Sequence, residues 1–290
     1  PKNFFVKIPD NVADEEAVFG VVGSIALQSI RLAEPTLGER AVVFGLGLIG
    51  LMTIQILKAN GCQVLGVDYD NEKIKLAESF GAETVNLTNG EDPVLKASYF
   101  SDFKGVDIVI IAADSKSNKI IEQAAHMSRK RGRIVLSGVV GLNFTRQDFY
   151  EKELTFQISC SYGPGRYDAQ YEKLGIDYPM SFVRWTAQRN FEAVLNLMSD
   201  RRLDVMPLIS HTYKIEEAKS AYKKLLSSEK TLGILIRYNP KKSNVNIETI
   251  KILNKNNTEN KKINNLKISF IGSGNYVRTT LALAFYKSPL

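Results

Sequence analysis

Gly45-Leu46-Gly47-Leu48-Ile49-Gly50, followed eighteen residues later by Asp68, are the residues whose types and spacing point most directly to chemistry. Such a run carries weight only where it follows a strand and opens a helix. In that setting Gly45 permits a tight turn, Gly47 lets the backbone approach a diphosphate, and Gly50 lets the helix pack closely on the strand. The helix start, at Leu48 and Ile49, adds free N–H groups and a partial positive charge for an anion. Asp68 is placed to accept hydrogen bonds from an adenosine ribose and to face a 2′-phosphate with like charge. Two unit charges 4 Å apart repel by roughly 1–4 kcal/mol at effective dielectrics of 80–20. The pattern predicts dinucleotide binding with NAD favoured over NADP. Lys73, five residues on, is either a second ribose partner or a surface lysine.

The elements needed to hold these residues are legible around them. Ala41–Phe44 reads as a strand, 48–60 as a helix, Gln63–Asp68 as a strand and 71–80 as a helix. Val106–Ile111, a helix over 117–128 and a strand over 133–136 continue the alternation. Continuous apolar strands between helices predict an α/β fold, a doubly wound parallel sheet of Rossmann type covered on both faces. Ligands of such sheets lie beyond the carboxyl ends of the strands. Ala112 and Ala113, and then Ser137, Gly138 and Val139, are therefore placed beside the nicotinamide half. Their alternative reading is as ordinary strand-to-helix turns.

Further along, a strand is predicted over 154–159, a loop over 161–167, helices over 182–198 and 215–226, and a closing strand over 232–237. The net charge of +7 invites a nucleic-acid reading until it is located. Nine Lys/Arg and two acids lie after residue 239, leaving 29 of each sign before it. The stretch 239–265 holds nine Asn and six Lys, the composition of a flexible linker rather than a phosphate-tracking face. Lys267–Ile271 with Gly272-Ser273-Gly274 then reads as the truncated start of a second Rossmann unit. The expected organisation is a segment over 1–36, an NAD-binding domain over 37–163, completing helices and strand over 164–238, the linker, and the new unit over 266–290.

No apolar run is long enough for a membrane span, and the two cysteines, Cys62 and Cys160, form no ligand or disulfide pattern. A cytoplasmic protein with a small-molecule substrate, and with neither nucleic acid nor membrane as partner, is the expectation.

The run from Pro9-Asp10 through Ser24-Ile25-Ala26, the glycine turn, Val67-Asp68, Lys73, Phe80-Gly81-Ala82 and Arg131-Gly132-Arg133 resembles the cofactor domain of medium-chain dehydrogenases. These include the zinc-type alcohol, polyol and threonine dehydrogenases, and the resemblance covers about residues 8–238. The second turn resembles the start of glucose-fructose oxidoreductase/inositol dehydrogenase-like (Gfo/Idh/MocA) domains. Together the two imply a bi-domain oxidoreductase, truncated at both ends and lacking the catalytic half that precedes the cofactor domain in the family. The family's later zinc ligand, 25 residues before the first fingerprint glycine, falls on Gly20, which has no side chain to coordinate a metal. The resemblance thus implies a zinc-free parent and NAD-dependent hydride transfer on an alcohol, polyol or sugar. A non-catalytic NAD-binding module remains the alternative, since no acid–base residue has a supporting constellation. Ser24 aligns with a position on the nicotinamide side, and a helix N-cap explains it equally well.

Other features have plainer readings. Arg129–Arg133 is expected to end a helix, where cations offset the dipole. Phe182, Trp185, Phe191, Val194, Leu195 and Met198 are expected in the core, and Cys160 as a buried hydrophobe. The surface of Phe19, Val21 and Val22 is expected to be exposed without the preceding half, which makes a homo-oligomer an open question.

Overall fold

The computed structural model describes residues 2–227 and 230–238, with the isolated positions Val277 and Tyr286. The chain separates into the units Pro1–Asn239 and Pro240–Leu290. The linker read at 239–265 and the turn of Gly272 and Gly274 in the unit read at 266–290 lie outside the described residues.

Six parallel strands form the centre of the first unit: β1 (Arg40–Phe44), β2 (Gln63–Asp68), β3 (Glu83–Asn86), β4 (Val106–Ile111), β5 (Ser128–Leu136) and β6 (Thr155–Ile158). They lie in the order β3-β2-β1-β4-β5-β6, a doubly wound Rossmann-type sheet. Phe44 pairs with Val67 on one side and Ile111 on the other, so the carboxyl ends of β1, β2 and β4 are level. The chain winds outward through β1, β2 and β3, then returns to the far side of β1 to lay down β4. That reversal opens a crevice beyond the ends of β1 and β4.

Helices α1 (Asp14–Ala17), α2 (Gly20–Ala33), α3 (Leu48–Ala59), α4 (Asn71–Ser79), α5 (Pro93–Phe100), α6 (Lys119–Met127), α7 (Arg146–Tyr150), α8 (Ala187–Ser199) and α9 (Ala218–Leu225) connect and cover the strands. Alternation sends Ala41, Val43, Ile108, Ile110 and Val135 to one face, against Leu27 of α2, Ile54 of α3 and Val194 of α8. Val42, Phe44, Leu65, Val109, Ile111 and Ile134 point to the other, against Phe100 of α5 and Ile121 of α6. Burying a large apolar side chain contributes roughly 1.5–3 kcal/mol, so strands apolar on both faces are the main source of stability. Two further strands, β7 (Ile209–Lys214) and β8 (Gly233–Arg237), pair in parallel as a separate small sheet.

Several local expectations are corrected. The basic run does not end a helix: α6 stops at Met127 and the run lies in β5, with Arg131 in the left-handed region at φ 60°. Arg129 pairs there with Asp107 at 2.6 Å and Arg133 with Glu39, because two acids at neighbouring loop and strand positions draw the guanidinium groups onto the sheet. The carboxyl end of α6 is served instead by Lys152, whose Nζ donates to the carbonyls of Ala125, His126 and Ser128. Helix α8 begins at Ala187, so Phe182 falls on the preceding turn and is 87% exposed, while Phe191, Val194, Leu195 and Met198 are buried. Cys160 is exposed, just past the edge strand β6, whereas Phe19 is buried. Ser24 lies inside α2, its hydroxyl donating to the Gly20 carbonyl, so it is not an N-cap. Among the described residues no helix is long and apolar enough to cross a membrane.

Candidate dinucleotide site at the carboxyl edge of the sheet

The glycine turn joins β1 to α3, and its glycines do different work. Gly45 sits at φ 86°, and a Cβ there would lie 2.7 Å from the Ala113 backbone. Only a residue without a side chain lets the end of β1 pass the end of β4 this closely. Gly50 is pressed still harder, since its Cβ would lie 1.8 Å from the Gly45 carbonyl oxygen. Gly47 has ordinary extended backbone, with φ −70°, and a Cβ there would meet nothing within 4 Å. Two glycines are thus demanded by the protein's own packing, and the middle one faces open space.

That space lies at the amino end of α3. Gly47 occupies the N-cap, its side-chain-free position makes no cap hydrogen bond, and no acid stands in the first turn. The N–H groups of Leu48, Ile49 and Gly50 at this helix start are those an α-helix cannot pair internally. With the helix dipole they form a fixed positive pole suited to a diphosphate.

Asp68 closes the turn from the end of β2. Its Oδ2 accepts from the Leu46 N–H at 2.6 Å, and its Oδ1 from the N–H groups of Tyr69 at 2.7 Å and Asp70 at 2.9 Å. A second bond, from the Gly45 N–H to the Val67 carbonyl at 2.9 Å, ties turn and strand together. The carboxylate is therefore oriented by the turn it serves, a role that the spacing of glycines and acid did not disclose. Lys73, in the first turn of α4, acts with Lys230 on Asp70. Burial raises the Asp70 carboxyl, but Lys230, 3.0 Å away, together with the Glu72 N–H and Lys73, holds it below its ordinary value. Lys230 arrives from the segment before β8, a placement with no signal in the sequence.

The other predicted residues converge on the far side of the crevice. The N–H groups of Ser137 and Gly138 both donate to the Ile111 carbonyl, and Val139 N–H donates to the Ala113 carbonyl at 3.0 Å. Asp114 and Val139 form an isolated parallel bridge, so the segments after β4 and β5 are zipped together. Gly138 is required here, because a Cβ would lie 2.2 Å from the Ala113 carbonyl oxygen. Ala112, Ala113, Ser137, Gly138 and Val139 thus come together beside Gly45. The Ser137 hydroxyl is buried with no hydrogen-bond partner, and so is that of Ser159, one residue beyond the Leu136–Ile158 pair on β6. Orphaned buried hydroxyls are rare because each forfeits its hydration. Both follow the carboxyl ends of neighbouring strands, β5 and β6.

The chain's two histidines lie elsewhere: His126 pairs with Asp148 at 3.3 Å on α6 and α7, and His211 is on β7. Among the described residues no three His, Cys, Asp or Glu side chains come together to hold a metal. Gly20 opens α2 against Leu195.

Residues 49–175 match the family described as zinc-binding dehydrogenase. The D-xylulose reductase of Saccharomyces cerevisiae is 29% identical over 230 residues, 76% of this chain and 57% of that protein. Among solved structures, the alcohol dehydrogenase TADH from Thermus sp. ATN1 superposes with a TM-score of 0.65 at 25% identity, covering 81% of this chain and 61% of that one. A short-chain alcohol dehydrogenase from Escherichia coli CFT073, complexed with the cofactor NADH, gives a TM-score of 0.63 at 25% identity, covering 80% and 61%. The chain spans about 60% of the length of these relatives. Over 49–175 the chain is thus similar to zinc-binding dehydrogenases, and over most of 1–238 to alcohol and polyol dehydrogenases.

Proposed function

We propose that the crevice at the ends of β1 and β4 binds NAD(H), and that the chain is the cofactor-binding part of an oxidoreductase acting on the CH–OH group of an alcohol, polyol or sugar. The observation that carries this reading is the contrast within the glycine turn: Gly45 and Gly50 are closed by protein atoms, while Gly47 opens onto free space at a helix start. A diphosphate fits that space, with the N–H groups of Leu48, Ile49 and Gly50 facing it. Asp68, already fixed by three backbone N–H groups, keeps lone pairs for the adenosine ribose, and its charge disfavours a 2′-phosphate. Lys73 flanks the same ribose. Ala112, Ala113, Gly138 and Val139 admit the nicotinamide ring, and the Ser137 hydroxyl offers it a polar contact. Nicotinamide itself supplies the hydride acceptor or donor when bound.

The same reading takes 1–36 as joining a catalytic half, 37–163 as the cofactor domain and 164–238 as its completion. It takes 239–265 as a linker to a second, Gfo/Idh/MocA-like dinucleotide domain beginning near 266. A non-catalytic NAD-binding module is the second reading, favoured by the placement of both histidines away from the crevice. Titration with NADH and NADPH, followed by nicotinamide fluorescence, tests the cofactor assignment. Saturable NADH binding at least about ten-fold tighter than NADPH is expected; binding of neither, or tighter binding of NADPH, overturns it. Turnover with a polyol panel then separates the two readings, since the module binds without turnover.

A further inference from the structure

A second cavity lies on the opposite edge of the sheet. Helices α2 and α8 run antiparallel, with Gly20 facing Leu195 at one end and Arg31 bonded to Asn190 at the other. Between them and the end of α3 is a cavity of about 510 Å³ with Leu27, Ile30, Ile56 and Leu197 in its walls. Pro35 and Asn60, which precede β1 and β2, also line it, so it opens at the amino ends of the strands, away from the glycine turn. Its volume is that of a small-molecule site.

Its polar content is specific. The Arg31 guanidinium lies 3.4 Å from the centre of the Trp185 ring, and the Arg184 guanidinium, outside the cavity's lining, lies 3.8 Å from the same ring. Arg31 Nε donates to Asn190 Oδ1 at 2.8 Å, and Asn190, fully buried, donates in turn to the Tyr162 carbonyl. The arginine is thus held at its Nε by a rigid partner, while its Nη edge has no protein acceptor among the described residues. Neither Arg31 nor Arg184 forms an ion pair among the described residues, although Glu34 and Asp200, both exposed, line the same cavity together with Arg202. Burial, reinforced by the neighbouring Arg184, lowers the Arg31 pKa to about 10. Two cations are held against one indole with no carboxylate in direct contact among the described residues, an arrangement that the ring's quadrupole offsets only in part.

We propose that this cavity is a binding site for a small organic anion, a carboxylate on a planar apolar body. The carboxylate pairs with the Nη edge of Arg31, the two-pronged geometry that guanidinium groups favour, and the body lies along Leu27, Ile30 and Leu197 beside Trp185. The site is separate from the proposed cofactor crevice and does not depend on it.

Trp185 is the chain's one tryptophan, so its fluorescence reports the site directly. The probe is 4-nitrobenzoate, with the uncharged 4-nitrobenzamide as its control. Saturable quenching by the carboxylate, at least about ten-fold tighter than by the amide, is expected, and Arg31→Met should abolish that preference. Arg184→Met, at an exposed side chain, should weaken the carboxylate by a few-fold and serves if Arg31→Met does not fold. Quenching that rises linearly and equally for both probes overturns the proposal, as does a carboxylate preference untouched by the arginine variants. NADH titration of the same samples should be unchanged, so a failure here is distinguishable from a failure of the cofactor assignment.

Discussion

On the β1–β2 side of the crevice the N–H groups of Leu46, Tyr69 and Asp70 all end on the Asp68 carboxylate; on the β5–β6 side the hydroxyls of Ser137 and Ser159 are buried with no partner. The turn on the first side is fixed without a ligand. Its turn is pinned by charge-assisted bonds and by glycines packed against backbone, so its shape is set by the protein alone. The second side carries polar groups whose lost hydration nothing in the protein restores, so it gains most when an outside donor or acceptor arrives. In the proposed function, the adenosine half is preformed and the nicotinamide half is finished by binding.

The largest effect that bears on this contrast is expected at Gly50. Gly50→Ala forces a methyl group against the Gly45 carbonyl and should cost about 3 kcal/mol or more in urea denaturation, with NADH binding lost. Full stability would mean that the turn is not packed as described. Next, Asp68→Asn should weaken NADH and ADP-ribose alike by about ten-fold and erode the preference over NADPH. ADP-ribose lacks only the nicotinamide ring, so an undiminished affinity for it would remove Asp68 from the adenosine half. The smallest effect is expected at Ser137. Ser137→Ala should weaken NADH a few-fold, leave ADP-ribose unchanged, and leave stability unchanged or raised by about 1 kcal/mol. Equal losses for both ligands would erase the distinction between the two sides.

The sheet's centre was legible because β1, β2 and β4 are apolar on both faces and separated by helices of ordinary period. β3 was not, since only Val85 and Asn86 of its four residues are buried and four residues make no pattern. Helix α5 did leave a signal, Asp92 as N-cap before Pro93, in a segment with little other periodicity. The basic run was misread because local charge favours a helix end, whereas Asp107 and Glu39, distant in sequence, hold Arg129 and Arg133 on the sheet. In the candidate site, the glycines, Asp68 and the strand ends could be named from spacing, but their division of labour could not. That Gly50 meets Gly45, that Asp68 pins Leu46, and that Ser159 stands beside Ser137 are facts of register and close approach, and neither leaves a mark in residue type.

The open space at Gly47 is the centre of the account, and Gly47→Ala tests it most directly. Its backbone is one that alanine adopts, and the added methyl group touches nothing in the protein, so urea denaturation should differ from the parent by no more than about 1 kcal/mol. The same variant should bind NADH at least about ten-fold more weakly, because the methyl group occupies the diphosphate's place. Unchanged stability with unchanged NADH affinity would contradict the account, because it would mean that no diphosphate approaches this turn.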